Sequence, residues 1–404
     1  MRILHSEPSR FTALITAQTS SLQTTVLPLR MLSTSNSRPG RGLLNVTSSN
    51  LVTPEYNRKG TSAYPDYAPV PANSNLGLEI SKVMISVLVM GGSKFVGLRT
   101  VSMLLKDGYQ VTTLNRGTTE QPPGVRHLKC DRKDLPRLEG LLEKVGFDAV
   151  VDMTAQESED TEAMIRIFEG RTERFVHCST GAVYEDKWEF PVFEEDPIMG
   201  WTGRRTYPEN KAQCERLLFK AFEERGFPIT ILRPTVIYGP HNYLYREAYV
   251  FDRAEARRPI PVPGDGKSVT HVVHVDDVAK AFAAALKSKA CVGQAYNIAG
   301  PRAVSLNLWV ESAAKPCTED VKITHYDESL VSRDVNRGFP LPTSPWIMSI
   351  QKAQTDLGFS PRGLYDGMKE TYEWYSQNHP FGRPDFEFDQ AVASSQRIKN
   401  SERM

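Results

Sequence analysis

Residues 85–97 read Ile-Ser-Val-Leu-Val-Met-Gly91-Gly92-Ser93-Lys94-Phe95-Val96-Gly97. An apolar, β-branched run ends in a glycine turn, and the pattern beyond it predicts a helix over 95–107. Where a parallel strand turns tightly into a helix, free backbone N–H groups at the helix start can hold a pyrophosphate. Gly91 serves the turn, and Gly97 lets the helix pack close to the sheet. Gly91, Gly92, Ser93, Phe95, Val96 and Gly97 are therefore cofactor-binding candidates. The usual middle glycine of this spacing is Lys94, which either reaches the pyrophosphate as a cation or points into solvent.

The next strand, Gln110-Val-Thr-Thr-Leu114, ends at Asn115-Arg116-Gly117. An acid there would grip the ribose 2′-hydroxyl of NAD, whereas Asn115 followed by Arg116 suits a 2′-phosphate and points to NADP. The plain alternative is a domain that keeps the turn and binds nothing.

Outward from this stretch, strands are predicted at 85–90, 110–115, 126–129, 148–153, 173–178 and 229–233. Helices are predicted at 95–107, 134–145, 158–169 and 208–225. Regular alternation with short loops implies an α/β fold, a doubly wound and mostly parallel sheet of Rossmann type. We expect the Rossmann domain at 83–240. A smaller, discontinuous substrate-binding lobe follows at 241–376, with Rossmann segments interleaved at about 270–300, and a tail at 377–404. Pro-rich chain at 259–263 and 339–345 predicts irregular, surface-built parts of that lobe.

The 404 residues carry a formal net charge of +1, which predicts no long-range field toward nucleic acid or acidic membranes. Cys130, Cys178, Cys214, Cys291 and Cys317 are scattered, with no Cys-x-x-Cys, and read as reduced thiols. No apolar run approaches membrane-spanning length. Residues 1–82 are rich in Ser, Thr and Arg and poor in acids, which fits an organelle transit peptide. A disordered tail, or translation starting at Met31 or Met84, fits the same composition, and the last would leave the protein cytoplasmic.

Chemistry concentrates further along. Tyr207 and Lys211 stand four apart at the start of a helix, with Pro208 in its first turn, so they share a face. A phenol near pKa 10 is a poor base at neutral pH, and a neighbouring ammonium favours the phenolate. The strand Phe175-Val-His-Cys178 ends in Ser179-Thr180-Gly-Ala-Val-Tyr184. A hydroxyl at the carboxyl end of a strand faces the cofactor crevice, so Thr180 can bond a substrate oxygen while Tyr207 exchanges its proton. Ser179 alternates to the other face. His271 and His274, three apart on an apparent strand, point to opposite faces, and no metal site is expected. Asp276-Asp277 reads as a helix cap complementing the dipole. Aromatic residues are not interleaved with a basic run, so no stacking platform for RNA is visible.

With Arg233-Pro-Thr-Val-Ile-Tyr-Gly239-Pro240, these residues resemble the extended short-chain dehydrogenase/reductase superfamily, the NAD-dependent epimerase/dehydratase group. Further carriers are Gly293-Gln-Ala-Tyr-Asn297-Ile-Ala-Gly300, His274-Val-Asp276-Asp277-Val-Ala279, and Leu357-Gly-Phe-Ser-Pro361 with Trp374-Tyr375. The likeness covers about residues 85–376. Within that group the chain is most similar to the chloroplast stem-loop-binding proteins and their bacterial relatives. That similarity rests on Met90–Gly97, Lys129-Cys-Asp131-Arg132-Lys-Asp134, Arg258-Pro-Ile-Pro-Val-Pro263 and His325-Tyr-Asp327.

The resemblance implies reversible hydride transfer with NAD or NADP at a sugar-like, even nucleotide-sugar, substrate. In that scheme Thr180 orients the oxygen, Tyr207 moves the proton, and Lys211 lowers the Tyr pKa and holds the nicotinamide ribose. Asp131 and its neighbour Arg132 would sit near the adenine. The resemblance also implies a plastid or other organelle location, a homodimer and, as an alternative function, RNA binding and cleavage. One departure concerns substrate. The superfamily's usual diphosphate-clamping Arg is Thr270 here, and Arg253, Arg257 or Arg258 would have to substitute.

Overall fold

The computed structural model describes residues 85–186, 189–331 and 338–401. The expectations for residues 1–82 lie outside them. The first strand, β1 (Ser86–Met90), leads through the glycine turn into α1 (Phe95–Lys106) and returns as β2 (Gln110–Asn115). β3 (Arg126–Lys129), α2 (Leu135–Leu142), β4 (Ala149–Asp152), α3 (Ser158–Phe168), β5 (Arg174–Cys178), α4 (Tyr207–Arg225) and β6 (Ile229–Pro234) continue the alternation.

The second half is less regular. It runs through β7 (Val236–Tyr238), α5 (Glu247–Glu255), β8 (Ile260–Pro263), β9 (Val269–Thr270), β10 (Val272–His274), α6 (Val275–Lys287) and β11 (Gln294–Ile298). β12 (Val304–Ser305), α7 (Leu306–Ala314), β13 (Ile323–Tyr326), α8 (Gln351–Leu357), α9 (Leu364–Asn378) and α10 (Glu387–Ser401) complete it.

Seven strands form one parallel sheet in the order β11-β6-β5-β4-β1-β2-β3. This is the doubly wound Rossmann arrangement, with β11 returning from the second half to extend the edge. β1 shows why the sheet is covered on both faces. Val87 and Val89 enter one core with α1 and α6, while Leu88 and Met90 enter the other with α2, α3 and α4. A third core, around Tyr249, Phe251, Trp309 and Met368, belongs to the second half. The last segment, expected as a tail, forms α10, whose Phe388 and Val392 are buried in that third core.

One local expectation is corrected. Residues 260–263 are not irregular but form β8, pairing in parallel with β13. Ile260 N donates to Lys322 O at 2.7 Å and Gly264 N to Tyr326 O at 2.9 Å. Pro261 and Pro263 fall on the alternate positions, so their missing N–H groups face away from β13. The second Pro-rich stretch does run without a helix, as a strap along β9. Trp346 N donates to Val269 O at 2.9 Å, and Ser268 donates to Thr343 O.

Candidate active site

The carboxyl ends of β1, β2, β4, β5 and β6 open into a cleft of about 1280 Å³. Every candidate named from sequence lines it: Gly91, Gly92, Ser93, Phe95, Val96, Gly97, Asn115, Arg116, Asp131, Arg132, Thr180, Tyr207 and Lys211.

At one end lies the glycine turn. Gly91 and Gly92 have φ of +110° and +89°, which glycine adopts without strain. A Cβ on Gly97 would stand 2.8 Å from Gly92 N, so α1 packs against the turn as closely as a backbone allows. α1 starts with no side-chain cap and no acid in its first turn, leaving its N–H groups open to an anion. Lys94 is exposed at the helix start, and Phe95 holds a φ of +40° with its ring edge-on to Tyr243. The turn and the size of the cleft suit a dinucleotide.

Asn115 and Arg116 divide their work. Asn115 donates to Gly91 O and to Gln121 Oε1, both at 2.9 Å, and accepts from Gly117 N. It therefore builds the loop after β2. Arg116 is exposed and has no side-chain partner among the described residues. Asp131 accepts from Lys133 N at 3.0 Å and otherwise faces the cleft. Arg132 is committed to the protein, donating to both oxygens of the fully buried Asp152 at 2.8 and 3.1 Å. Burial opposes the Asp152 charge, but Arg132 beside it holds the carboxyl down at about 2.

At the other end stand the hydroxyl, the phenol and the amine. Thr180 follows β5 and caps a short turn, accepting from Ala182 N at 3.2 Å. Ser179 points the other way, to the buried Glu215. Tyr207 opens α4 behind the Thr206 cap. Tyr207 is 53% exposed along the open cleft, and its hydroxyl lies within the influence of Thr180. Here the electrostatic expectation is corrected. Burial pushes the phenol up to about 12, with the Thr180 hydroxyl opposing. The buried Lys211 ammonium donates instead to Ala155 O at 2.9 Å and to Cys178 O, and stands 3.3 Å from His177 Nε2. Its three protons are thus directed at three protein acceptors. His177 is buried, and that burial together with Lys211 drives its pKa well down.

α4 is fixed from below. Arg233 donates to both Glu215 oxygens, to Tyr184 Oη at 2.8 Å and to Glu194 O at 2.9 Å. Other expectations change. Arg253 and Arg258 cannot clamp a substrate, because both hold Asp389 of α10, and Arg257 does not line the cleft. Thr270 does line it. Asp276 and Asp277 lie in the first turn of α6, where they complement its dipole, but the cap is His274. His274 Nδ1 accepts from Asp276 N, while the two carboxylates pair with Arg99, Arg362 and Lys280. His271 bonds Gly300 O and Met348 N.

The sequence reading missed Tyr243, Arg246 and Trp346, which also line the cleft. They come from loops without periodicity, and nothing in their spacing marks them. His177 had a signal, a polar residue inside an apolar strand. Among the described residues no helix could cross a membrane, and no His, Cys, Asp and Glu cluster could hold a metal.

Residues 87–299 match the model of the NAD dependent epimerase/dehydratase family. The chain is 32% identical over 321 residues to the Arabidopsis thaliana protein named chloroplast stem-loop binding protein of 41 kDa b, covering 74% of this chain and 80% of that one. A dTDP-glucose 4,6-dehydratase from Bacillus anthracis in complex with NAD superposes with a TM-score of 0.61 at 21% identity, over 73% and 97% of the two chains. A UDP-glucose 4-epimerase with UDP-glucose from Thermotoga maritima gives 0.60 at 20%, over 73% and 100%.

Proposed function

Because the chain belongs to the NAD-dependent epimerase/dehydratase family, we propose that it is a nicotinamide-dependent enzyme acting by hydride transfer on a sugar-like or nucleotide-sugar substrate. The observation that carries this is the convergence of Thr180, Tyr207 and Lys211 in the same cleft as the glycine turn. A bound nicotinamide would supply the hydride acceptor and donor. The glycine turn and the open start of α1 would hold its pyrophosphate, and Asp131 would lie toward the adenine. Arg116 supports NADP over NAD, since an unpaired guanidinium there can take a 2′-phosphate.

At the reacting end Thr180 would orient the substrate oxygen and Tyr207 would exchange its proton. With its pKa near 12 the phenol starts protonated, ready to protonate an alkoxide as a carbonyl is reduced. In the opposite direction it must first lose that proton. Lys211 would hold the nicotinamide ribose by releasing its longest contact, the one to His177.

Tyr207→Phe should leave cofactor binding within about twofold while lowering turnover by about 10²-fold or more. Unchanged turnover rejects the assignment. A plastid location is supported by the Arabidopsis relative. That relative's name also supports a second reading, stem-loop binding. Retention of a structured RNA near physiological salt by the full chain, weakening steeply as salt rises, would favour it.

A further inference from the structure

We propose that Arg246 recognises an anionic group, a carboxylate or a phosphate, carried by the sugar itself at the reacting end of the cleft. This rests on the reading of the cleft as a hydride-transfer site and adds the charge of the substrate to it.

The cations around the cleft are otherwise accounted for. Arg132 and Lys133 pair with Asp152, Asp160 and Glu157. Lys211 is directed at two backbone carbonyls and His177. Lys94 and Arg116 stand at the glycine-turn end. The Arg246 side chain, just before α5, makes one hydrogen bond among the described residues, from Nη1 to Ile237 O at 2.9 Å. That contact leaves most of its donors over and fixes the guanidinium against the end of β7. No carboxylate lies within ion-pair distance of it among the described residues.

Its sequence neighbour Glu247 attracts it but forms no ion pair with it. The Glu247 carboxylate turns to Gly239 N at 3.1 Å and to Asn242 Nδ2 at 3.0 Å. Arg246, Ile237, Tyr243 and Tyr207 line the cleft together, and after Glu247 the charges within reach of Arg246 are the Tyr243 and Tyr207 phenols. Burial weakens its hold on its proton, the mark of a partly desolvated cation without a full counter-charge. An oxyanion of the substrate would complete that arrangement. Because the cation shares the cleft wall with Tyr207 and lies within its electrostatic reach, the anion it takes belongs near the reacting carbinol rather than on a distant diphosphate.

The experiment titrates the full chain, saturated with NADP or NAD, with two matched probe pairs by calorimetry: UDP-glucose against UDP-glucuronate, and glucose against glucose 6-phosphate. The wild-type protein should prefer at least one anionic member over its neutral partner by about 10-fold or more. The UDP pair reports a sugar carboxylate and the hexose pair a phosphate. Arg246→Gln should abolish that preference while leaving the neutral member's affinity within about twofold, and Arg246→Lys should restore part of it. Equal losses for UDP-glucose and UDP-glucuronate would assign Arg246 to the diphosphate and overturn the inference. So would a wild-type protein with no preference in either pair, or one that binds none of the four probes. A prior calorimetric titration of the same protein with NADP and with NAD separates the two readings, since failure to bind either cofactor sinks the proposed function itself.

Discussion

Glu247 stands behind the loop that carries Tyr243 and Arg246, and it is 3% exposed. Burial pushes its carboxyl up to about 7, against the hydrogen bonds from Gly239 and Asn242 and the charge of Arg246. A carboxyl whose folded pKa lies above its unfolded value, about 4.3, contributes stability that is complete below the unfolded value and is lost as pH rises through the folded one. The protein should therefore lose on the order of 2–3 kcal/mol from this group between pH 5 and pH 8. Glu247→Gln, neutral throughout, should flatten that part of the profile. Parallel urea-stability curves for the two proteins from pH 5 to pH 8 would refute the argument. Nothing in the sequence distinguishes Glu247 from the chain's other acids, because its titration depends on what closes over it.

Elements were more legible than single contacts. The six strands and four helices read from residues 85–233 all form, with ends that match or differ by up to three residues, because each carries its own period and stop signal. β8 is hidden by proline frequency, since its two prolines alternate with the residues whose N–H groups face β13. The junction of β1 and α1 is the tightest joint in the site. Gly97→Ala would drive a methyl into Gly92 backbone, which cannot give way as a side chain would. We expect a loss of about 1–3 kcal/mol of stability, with cofactor affinity falling about 10-fold or more as α1 is displaced. An alanine variant with wild-type cofactor affinity would show that this close approach is not what shapes the turn.

At the scale of the whole molecule, charged links hold the second half to the Rossmann sheet and its helices. Arg362, between α8 and α9, pairs with Asp276 and Asp277 of α6 and Glu370 of α9, while Arg99 of α1 shares Asp276. A cofactor bound in the cleft should stabilise this whole unit, by about 2.7 kcal/mol at a hundredfold excess over its Kd. At equal concentration NADP should raise the melting temperature more than NAD, and Arg116→Ala should remove the difference. Equal shifts for both nucleotides in the wild-type protein would leave Arg116 without that role. The sequence by itself determined the parallel sheet, the glycine turn and the candidates Thr180, Tyr207 and Lys211, because strand period, helix spacing and turn chemistry are local properties. Only the tertiary structure decided how charge is shared in the cleft. It consumed Arg132 and Asn115 internally, tied Arg253 and Arg258 to α10, surrounded Lys211 with acceptors, and left Arg246 lining the cleft without an ion-pair partner among the described residues. Charge pairing and desolvation depend on groups that are far apart in the chain and meet only when it folds.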